Sequence, residues 1–369
     1  PQRLTILAGH CVEPKSGRFA GSAHLPADMK IGEAELEAIL AWMKRRYRMC
    51  TIGEGVRALA EGRGRSLVAL SVDDGYRDNH DVLLPLLARQ GVPATVFLES
   101  RPLDERRVNW THKLFWILAR RSADEFAKDY GRAAGAGAGA QAVEQAARTV
   151  ASERATYEVK RLLKYEVEPA ERDAAIDRVF AELGGDERAL CDALYMTWDQ
   201  VRALRDAGVE LGVDRRGHAI LSKLPPAEQE HEIRAGRVAL VRELATEPAT
   251  FAHPFRRRWD FDTSSRAAVK RAGLRTACEG FADRAYRADG TLVPRQEPAA
   301  VVHDAETVVQ RAVRMVRDRT IEAVDGTVLP VLIDTICVHG DTPGAADLAA
   351  RIRKALTDSG VDVKALRLG

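Results

Sequence analysis

Cysteine is scarce in this chain, and the way it is distributed argues against two kinds of site. Only five of the 369 residues are cysteines, and no two of them form a C-x-x-C pair. An odd number of widely separated thiols fits neither a disulfide framework nor a thiolate metal site, and it indicates a reducing compartment. We expect each cysteine to be a small core residue. They are Cys11, Cys50, Cys191, Cys278 and Cys337.

The chain also lacks the signals of membrane proteins and nucleic-acid-binding proteins. No apolar run approaches the roughly 18 residues that a membrane span requires. The run Leu4–Ala8 is too short for the core of a signal peptide. The 56 basic side chains are balanced by 54 acidic ones, and no basic stripe with interleaved aromatics occurs. We therefore predict a cytoplasmic protein that neither spans a membrane nor binds nucleic acid.

What the chain does contain is an alternation of strand and helix patterns. Segments with helical spacing, such as Glu35–Tyr47 and Asp81–Gln90, follow short apolar runs, and Gly91 ends the second of these helices. Such alternation predicts the α/β class, with a mostly parallel sheet that is either open or closed into a barrel. The predicted strands are Leu4–Ala8, Leu67–Val72, Ala94–Leu98, Val209–Val213, Thr250–Ala252, Arg275–Cys278 and Thr335–Val338.

One long stretch interrupts this alternation. From about residue 104 to 196 we find helical patterns, such as Ser152–Tyr165 and Pro169–Leu183, and no strand pattern. The Ala/Gly run Ala133–Ala140 within it is low-complexity sequence that we expect to be flexible. We interpret residues 104–196 as a helical insertion between the two parts of a barrel, residues 1–103 and 197–369. The insertion is either a cap beside the active site or a solvated spacer.

Two adjacent carboxylates end the second predicted strand. Asp73 and Asp74 follow Leu67–Val72, and Gly75 permits a sharp turn after them. Active sites of parallel α/β folds lie at the carboxyl ends of the strands. One carboxylate of such a pair can bind a metal while the other acts as a base. The alternative is an ordinary Asp-Gly turn in which one Asp is a cap.

Histidine and aspartate follow three later strands. Asp214 and His218 are four residues apart, so one helical turn would place both on one face, as a ligand pair for zinc or a similar ion. His253 and His339 stand at the ends of two further predicted strands. Each signal is ambiguous by itself, because a single histidine is commonly a surface or packing residue. Four strand ends with such residues, in this order, favour a shared site.

In order and spacing these motifs resemble the polysaccharide deacetylase family, also called the NodB homology group or carbohydrate esterase family 4. The most specific resemblance lies in residues 72–98, which contain V-D-D-G-Y-R-D-N, L-L-P-L-L and G-V-P-A-T-V-F-L. Residues 198–212 resemble the approach to the second motif, and 251–255 (F-A-H-P-F) the third. Residues 334–341 (D-T-I-C-V-H-G-D) are similar to the final histidine motif. The similarity extends over nearly the whole chain outside the insertion.

The resemblance implies a distorted (β/α) barrel that holds one divalent metal ion, usually zinc, and removes an N-acyl group, typically acetyl, from an amino sugar or another sugar-containing substrate. Asp73 matches the general base and Asp74 the first metal ligand. Asp214 and His218 stand where the family has its two metal-ligating histidines. His339 matches the general acid that protonates the departing amine.

The chain departs from the family pattern near the predicted metal. Asp214 replaces a histidine, and a second carboxylate would lower the Lewis acidity of the ion and shift its preference toward harder metals. The neighbouring Arg215 and Arg216 are cations that could compete for Asp214. Ala252 stands where the family often has an arginine that orients the base, and Arg256 where a glycine is frequent.

The predicted substrate is a carbohydrate or a glycosylated small molecule. Two alternatives remain open: a hydrolase of another amide or ester, and a barrel that has lost its metal and only binds carbohydrate. The residues that we expect to contact the substrate are Tyr76, His253, Pro254, Phe255 and Arg256.

Overall fold

We describe the protein from a computed structural model, and all structural statements below refer to the residues that it describes. These are residues 4–17, 19–63, 66–135, 137–149, 152–217, 220–253, 260, 262–274, 279–288, 290, 292–293, 297–331, 333, 335–337 and 345–363. No helix within these ranges is both long enough and apolar enough to cross a membrane.

Strands and helices alternate along most of the chain. The strands are β1 (Leu4–Gly9), β2 (Cys11–Glu13), β3 (Lys30–Gly32), β4 (Arg48–Cys50), β5 (Leu67–Val72), β6 (Ala94–Glu99), β7 (Glu210–Arg215), β8 (Glu279–Phe281), β9 (Thr320–Glu322), β10 (Val328–Pro330) and β11 (Thr335–Cys337). The helices are α1 (Glu33–Lys44), α2 (Ile52–Ala60), α3 (Leu84–Gln90), α4 (Ser100–Glu105), α5 (Trp110–Leu118), α6 (Ala123–Ala134), α7 (Ala138–Thr149), α8 (Ser152–Tyr165), α9 (Pro169–Glu182), α10 (Glu187–Leu194), α11 (Trp198–Asp206), α12 (Pro226–Leu244), α13 (Thr263–Arg271), α14 (Ala305–Arg317) and α15 (Ala345–Asp358). A π-helical turn, Asn79–Leu83, precedes α3.

A parallel five-stranded sheet forms the centre of the molecule. β1 pairs with β5 on one side, while β4 and β6 pair with the first and second halves of β5 on the other. β6 pairs with β7, and a parallel bridge from Val213 to Phe251 continues the order beyond β7. Because all these pairs are parallel, the carboxyl ends of β5, β6 and β7 lie at the same edge of the sheet.

The sequence of the central strands explains their position. Every residue of β5 and β6 is buried, as expected for parallel strands that are covered on both faces. Helix α2 packs against β1 and β5, and α12 packs against β7. The α/β class with a parallel central sheet is thereby confirmed, as are the predicted strands at β1, β5, β6 and β7. The predicted strand Arg275–Cys278 lies outside the described residues.

The stretch between β6 and α11 is helical, as predicted, over its described residues. Helices α5 to α10 share a core that includes Phe126, Tyr130 and Leu163. Helices include both ends of the Ala/Gly run, since α6 continues to Ala134 and α7 begins at Ala138, in keeping with the high helix propensity of alanine. Its predicted flexibility stays a prediction.

The C-terminal part has a core of its own. Residues between Ala282 and Leu356 form it, with α14 packed on α15. Among the described residues, β8 pairs with β11 and β9 with β10, and none of the four pairs with the central sheet. The division into residues 1–103, 104–196 and 197–369 stays a prediction.

Candidate active site

Successive strand ends bring charged side chains to one edge of the sheet. This edge carries two carboxylates after β5, one at the end of β6, a carboxylate and a guanidinium at the end of β7, and an imidazole after the bridge to Phe251. All of these side chains are less than a tenth exposed. They are Asp73, Asp74, Glu99, Asp214, Arg215 and His253.

A tight turn presents the first two carboxylates. Asp74 and Gly75 both have φ of 72°, in the left-handed region, which a glycine adopts easily and an aspartate only at some cost. A Cβ on Gly75 would lie 2.8 Å from Leu98 Cδ2, so a larger residue there would also displace the Leu98 side chain. The Asp73 amide donates to the Gly9 carbonyl at 3.1 Å. The predicted sharp turn at Gly75 is confirmed.

A β-bulge presents the charged pair of β7. Leu98 faces Val213 in the register, but Glu99 faces Arg215, so Asp214 is the extra residue. Arg215 has φ of 126°, and bulges commonly redirect side chains beside active sites. The expectation that Asp214 begins a helical turn is therefore wrong, because it belongs to a strand. As a result, neighbouring side chains that a regular strand would point apart lie close together.

Arg215 is a fully buried cation among acidic groups. Its Nη2 lies 3.7 Å from Asp214 Oδ1. Burial lowers the pKa of the guanidinium, while the negative charges of Asp214, Glu99, Glu232 and Asp74 oppose this shift. An arginine in such a place stays charged, so it carries one positive charge within a group of four acidic side chains.

Glu99 is a site residue that the sequence reasoning missed. Burial and the nearby charge of Asp74 raise its pKa to about 8, so the carboxyl group is mainly protonated at neutral pH. Asn109 Nδ2 donates to Glu99 Oε2 at 3.0 Å. The signal was present in the sequence, since Glu99 follows the apolar run of β6 as Asp73 follows β5.

A chain of hydrogen bonds links the insertion to Asp74. Asn109 Nδ2 donates to Tyr195 Oη at 3.2 Å, and the Tyr195 hydroxyl lies 2.5 Å from His112 Nδ1. His112 Nε2 lies 2.6 Å from Tyr76 Oη, and the Tyr76 hydroxyl also bonds to Asp74. If Tyr76 donates to the carboxylate, the network assigns the imidazole proton to Nε2, and Nδ1 accepts from Tyr195. Tyr76 is fully buried, and its predicted contact with substrate stays a prediction.

The imidazole of His253 is neutral at physiological pH. Burial and the positive charge of Arg215 lower its pKa to about 3. Its ring meets that of Phe251 edge-on, with the centroids 5.0 Å apart. The other residues predicted to contact substrate after it, Pro254, Phe255 and Arg256, lie outside the described residues.

Two of the three predicted metal ligands are described, and their chemistry suits a cation. Asp74 and Asp214 are buried at strand ends of the same edge, and both offer carboxyl oxygens there. Carboxylate oxygens favour harder divalent ions. In the part of the chain that the structure describes, no three metal-binding side chains converge on one point. The third ligand, His218, and the predicted acid, His339, lie outside that part.

Comparison with known proteins finds two family models that match different segments. The model described as polysaccharide deacetylase matches residues 60–151, which include Asp73, Asp74, Glu99 and His112. The resemblance to this family is thereby confirmed for that segment. A model described as the LamB/YcsF family matches residues 260–368, which include His339.

Individual relatives cover only part of the chain. A 5-oxoprolinase subunit from Streptomyces griseus is 56% identical over 94 residues, which are 26% of this chain and 38% of that protein. Its counterpart in Kocuria rhizophila is 50% identical over 97 residues, again 26% of this chain and 38% of that protein. Each match thus spans less than half the length of the relative. Among solved structures, the Streptococcus pyogenes deacetylase PplD in complex with acetate has a TM-score of 0.45 at 13% identity, covering 77% of this chain and 84% of that one.

Proposed function

We propose that this chain is a metal-dependent hydrolase that removes an N-acyl group, typically acetyl, from an amino sugar or another sugar-containing substrate. One observation carries the proposal. The adjacent buried carboxylates Asp73 and Asp74 stand at the carboxyl end of β5, inside the segment matched by the polysaccharide deacetylase model, at the same sheet edge as Asp214.

Hydrolysis of an amide requires a base for the attacking water and an acid for the departing amine. Asp73 accepts a proton from the attacking water molecule while the water oxygen bonds to the acyl carbon. The C–N bond then breaks, and His339 gives its proton to the amine, which leaves a carboxylate and a free amino group. A divalent ion held by Asp74, Asp214 and His218 would polarise the acyl carbonyl and lower the pKa of water.

The hydrogen bonds that link the insertion to Asp74 contribute to catalysis by fixing the position of the Asp74 carboxylate. Tyr76 holds the Asp74 carboxylate, and His112 and Tyr195 hold Tyr76 in turn. A carboxylate that is fixed before substrate arrives does not have to reorganise during the reaction. The insertion is therefore proposed as part of the active site rather than a spacer.

Acetate release from N-acetylated amino sugars and their oligomers, with an O-acetylated sugar in parallel, tests this function. We expect release from the N-acetylated substrates, and a loss of about 100-fold or more in kcat in Asp73→Asn, since general base catalysis contributes about that much. Asp206→Asn, which alters an exposed carboxylate on α11, serves as the control and should keep full activity. Equal rates in Asp73→Asn and the control would refute the assigned role of Asp73.

The match to the 5-oxoprolinase subunits favours a second candidate, a hydrolase of a cyclic amide. The same base and acid could open a lactam ring, because its C–N bond is also an amide. Incubation with 5-oxoproline, followed by detection of the ring-opened amino acid, separates the two candidates. Ring opening without acetate release would favour the second.

A further inference from the structure

We propose that the Arg215 guanidinium is a built-in cation that competes with a divalent metal ion for Asp74 and Asp214. The chain would then bind such an ion more weakly than its carboxylates alone would. This inference rests on the metal site of the proposed function, and it assigns to Arg215 the control of occupancy at that site.

The backbone of β7 places Arg215 next to Asp214 rather than away from it. In a regular strand, consecutive side chains point to opposite faces of the sheet. Here the bulge at Asp214 and the φ of 126° at Arg215 break that alternation, and Arg215 Nη2 lies 3.7 Å from Asp214 Oδ1. A non-glycine residue in this region of φ is strained, so the surrounding structure must hold it there.

Packing from α12 supports this conformation. A Cβ on Gly236 would lie 2.9 Å from the Arg215 carbonyl carbon and 2.9 Å from Val213 Cγ1, so α12 presses directly on the bulge. Glu232, one turn earlier on α12, accepts a hydrogen bond from the Gly217 amide at 2.8 Å, and its carbonyl accepts from the Arg216 amide at 3.2 Å. The helix therefore holds the end of β7 from both sides of Arg215.

The charges around Arg215 are those that a metal would use. Its Nη2 lies 3.7 Å from Asp214 Oδ1, and the charges of Glu99, Glu232 and Asp74 also act on the pKa of the guanidinium. Two of these four carboxylates are the predicted metal ligands. A divalent ion beside Asp214 would bring two further positive charges close to a cation that is fully buried and cannot retreat into water.

The adjacent Arg216 provides a matched comparison. Its side chain is about a third exposed and pairs with Glu105, which is not one of the four acidic groups around Arg215. Arg215→Leu and Arg216→Leu thus remove the same charge one residue apart, from inside the cluster and from outside it.

Calorimetric titration of the full chain with Mn²⁺ and with Zn²⁺ tests the inference. We expect Arg215→Leu to bind at least one of these ions about tenfold more tightly than wild type or better, since it removes a buried like charge. Arg216→Leu should stay within about twofold of wild type, because its charge is largely screened by solvent. Equal affinity in wild type and folded Arg215→Leu would overturn the inference.

Loss of a buried cation leaves carboxylates without a countercharge and can prevent folding. The double variant Arg215→Leu/Glu99→Gln removes the buried cation together with one of the acidic groups around it, and Glu99→Gln alone is its reference. We expect Mn²⁺ to raise the Tm of the double variant by more than that of Glu99→Gln, because an ion that binds the folded state stabilises it. The same Tm shift in both would overturn the inference.

The two proposals fail separately. Tighter metal binding in Arg215→Leu, without acetate release by any form of the protein, would refute the deacetylase function and support the role of Arg215. Acetate release that depends on Asp73, together with unchanged metal affinity in Arg215→Leu, would refute the role of Arg215 alone.

Discussion

At the scale of single residues, Asp78 shows how a buried carboxyl group ties the chain together near the site. The Val12 amide donates to Asp78 Oδ2 at 2.7 Å, and the side chain is completely buried. Burial raises its pKa to about 7, although the hydrogen bond from Val12 opposes the shift. Asp78 thus joins β2 to the chain just after the Asp74 turn, at an energetic cost once it ionises.

We predict that this cost makes stability depend on pH. The unfolded pKa of an aspartate is about 3.9, so the folded protein holds this proton more tightly. The contribution is complete below about pH 4 and is lost as the pH rises through about 7. Asp78→Asn keeps an acceptor for Val12 but cannot ionise. Urea unfolding at pH 5 and pH 8 should show a larger loss of stability at pH 8 in wild type than in the variant; equal losses would contradict the prediction.

Sequence reasoning identified some site residues and missed others for physical reasons. Asp73 and Asp74 were identifiable because an apolar strand leads directly to them. Competition of Arg215 for Asp214 was anticipated because the two are adjacent, but the complete burial of Arg215 was not, because arginine side chains are usually exposed. Only the register shift against Glu99 and the packing of α12 reverse that expectation, and both are tertiary effects.

At the scale of elements, the contact between α12 and β7 depends on a glycine. Gly236 lies in the middle of α12, where glycine is less favourable than alanine by about 1 kcal/mol. A Cβ at this position would meet backbone atoms of Arg215 that cannot move easily. The close packing of α12 on the bulge therefore favours glycine at this position, although alanine has the higher helix propensity.

We predict that Gly236→Ala destabilises the protein by about 1–3 kcal/mol, the usual cost of overpacking a core. The control is Gly131→Ala in α6, where the added Cβ would meet only the end of the Glu144 side chain, which can move. That variant should be neutral or slightly stabilised. Denaturant unfolding of both variants measures the difference, and a Gly236→Ala protein as stable as Gly131→Ala would show that the contact is not tight.

The boundaries of elements were predictable where apolar residues define them. β5 runs from Leu67 to Val72, as its sequence predicts, because every residue in it is buried. β7 was predicted to end at Val213 but runs from Glu210 to Arg215. It includes Asp214 and Arg215 because pairing with β6 continues past the apolar residues. A pattern of hydrophobic residues does not identify strand residues that are polar but buried.

At the scale of the whole molecule, the described residues form separate cores for the central sheet, the insertion and the C-terminal part. The C-terminal core involves α14 and α15, within the segment that the LamB/YcsF model matches, and the polysaccharide deacetylase match lies in the first half of the chain. The deacetylase match extends over parts of the central and insertion cores, and the LamB/YcsF match includes the C-terminal core together with a few residues of the central one.

We predict that these cores lose stability independently. Ile352→Ala, in α15, removes a buried side chain and should destabilise the C-terminal core by about 2–5 kcal/mol. Amide hydrogen exchange should become faster in α14 and remain unchanged in β5. Ile233→Ala, a comparable change in α12 within the central core, should produce the opposite pattern. Equal acceleration in α14 and β5 in either variant would indicate one cooperative unit.

The chain of contacts from Asn109 through His112 to Tyr76 also limits how this protein can be simplified. A shortened form without residues 104–196 would lose three of the groups in that chain: Asn109, His112 and Tyr195. The Tyr76 phenol, which is completely buried in the intact chain, would lose its partner on the far side from Asp74 and part of the core around its ring. Truncation of the molecule to its central sheet should therefore perturb the turn that carries Asp73 and Asp74, even if the remainder folds.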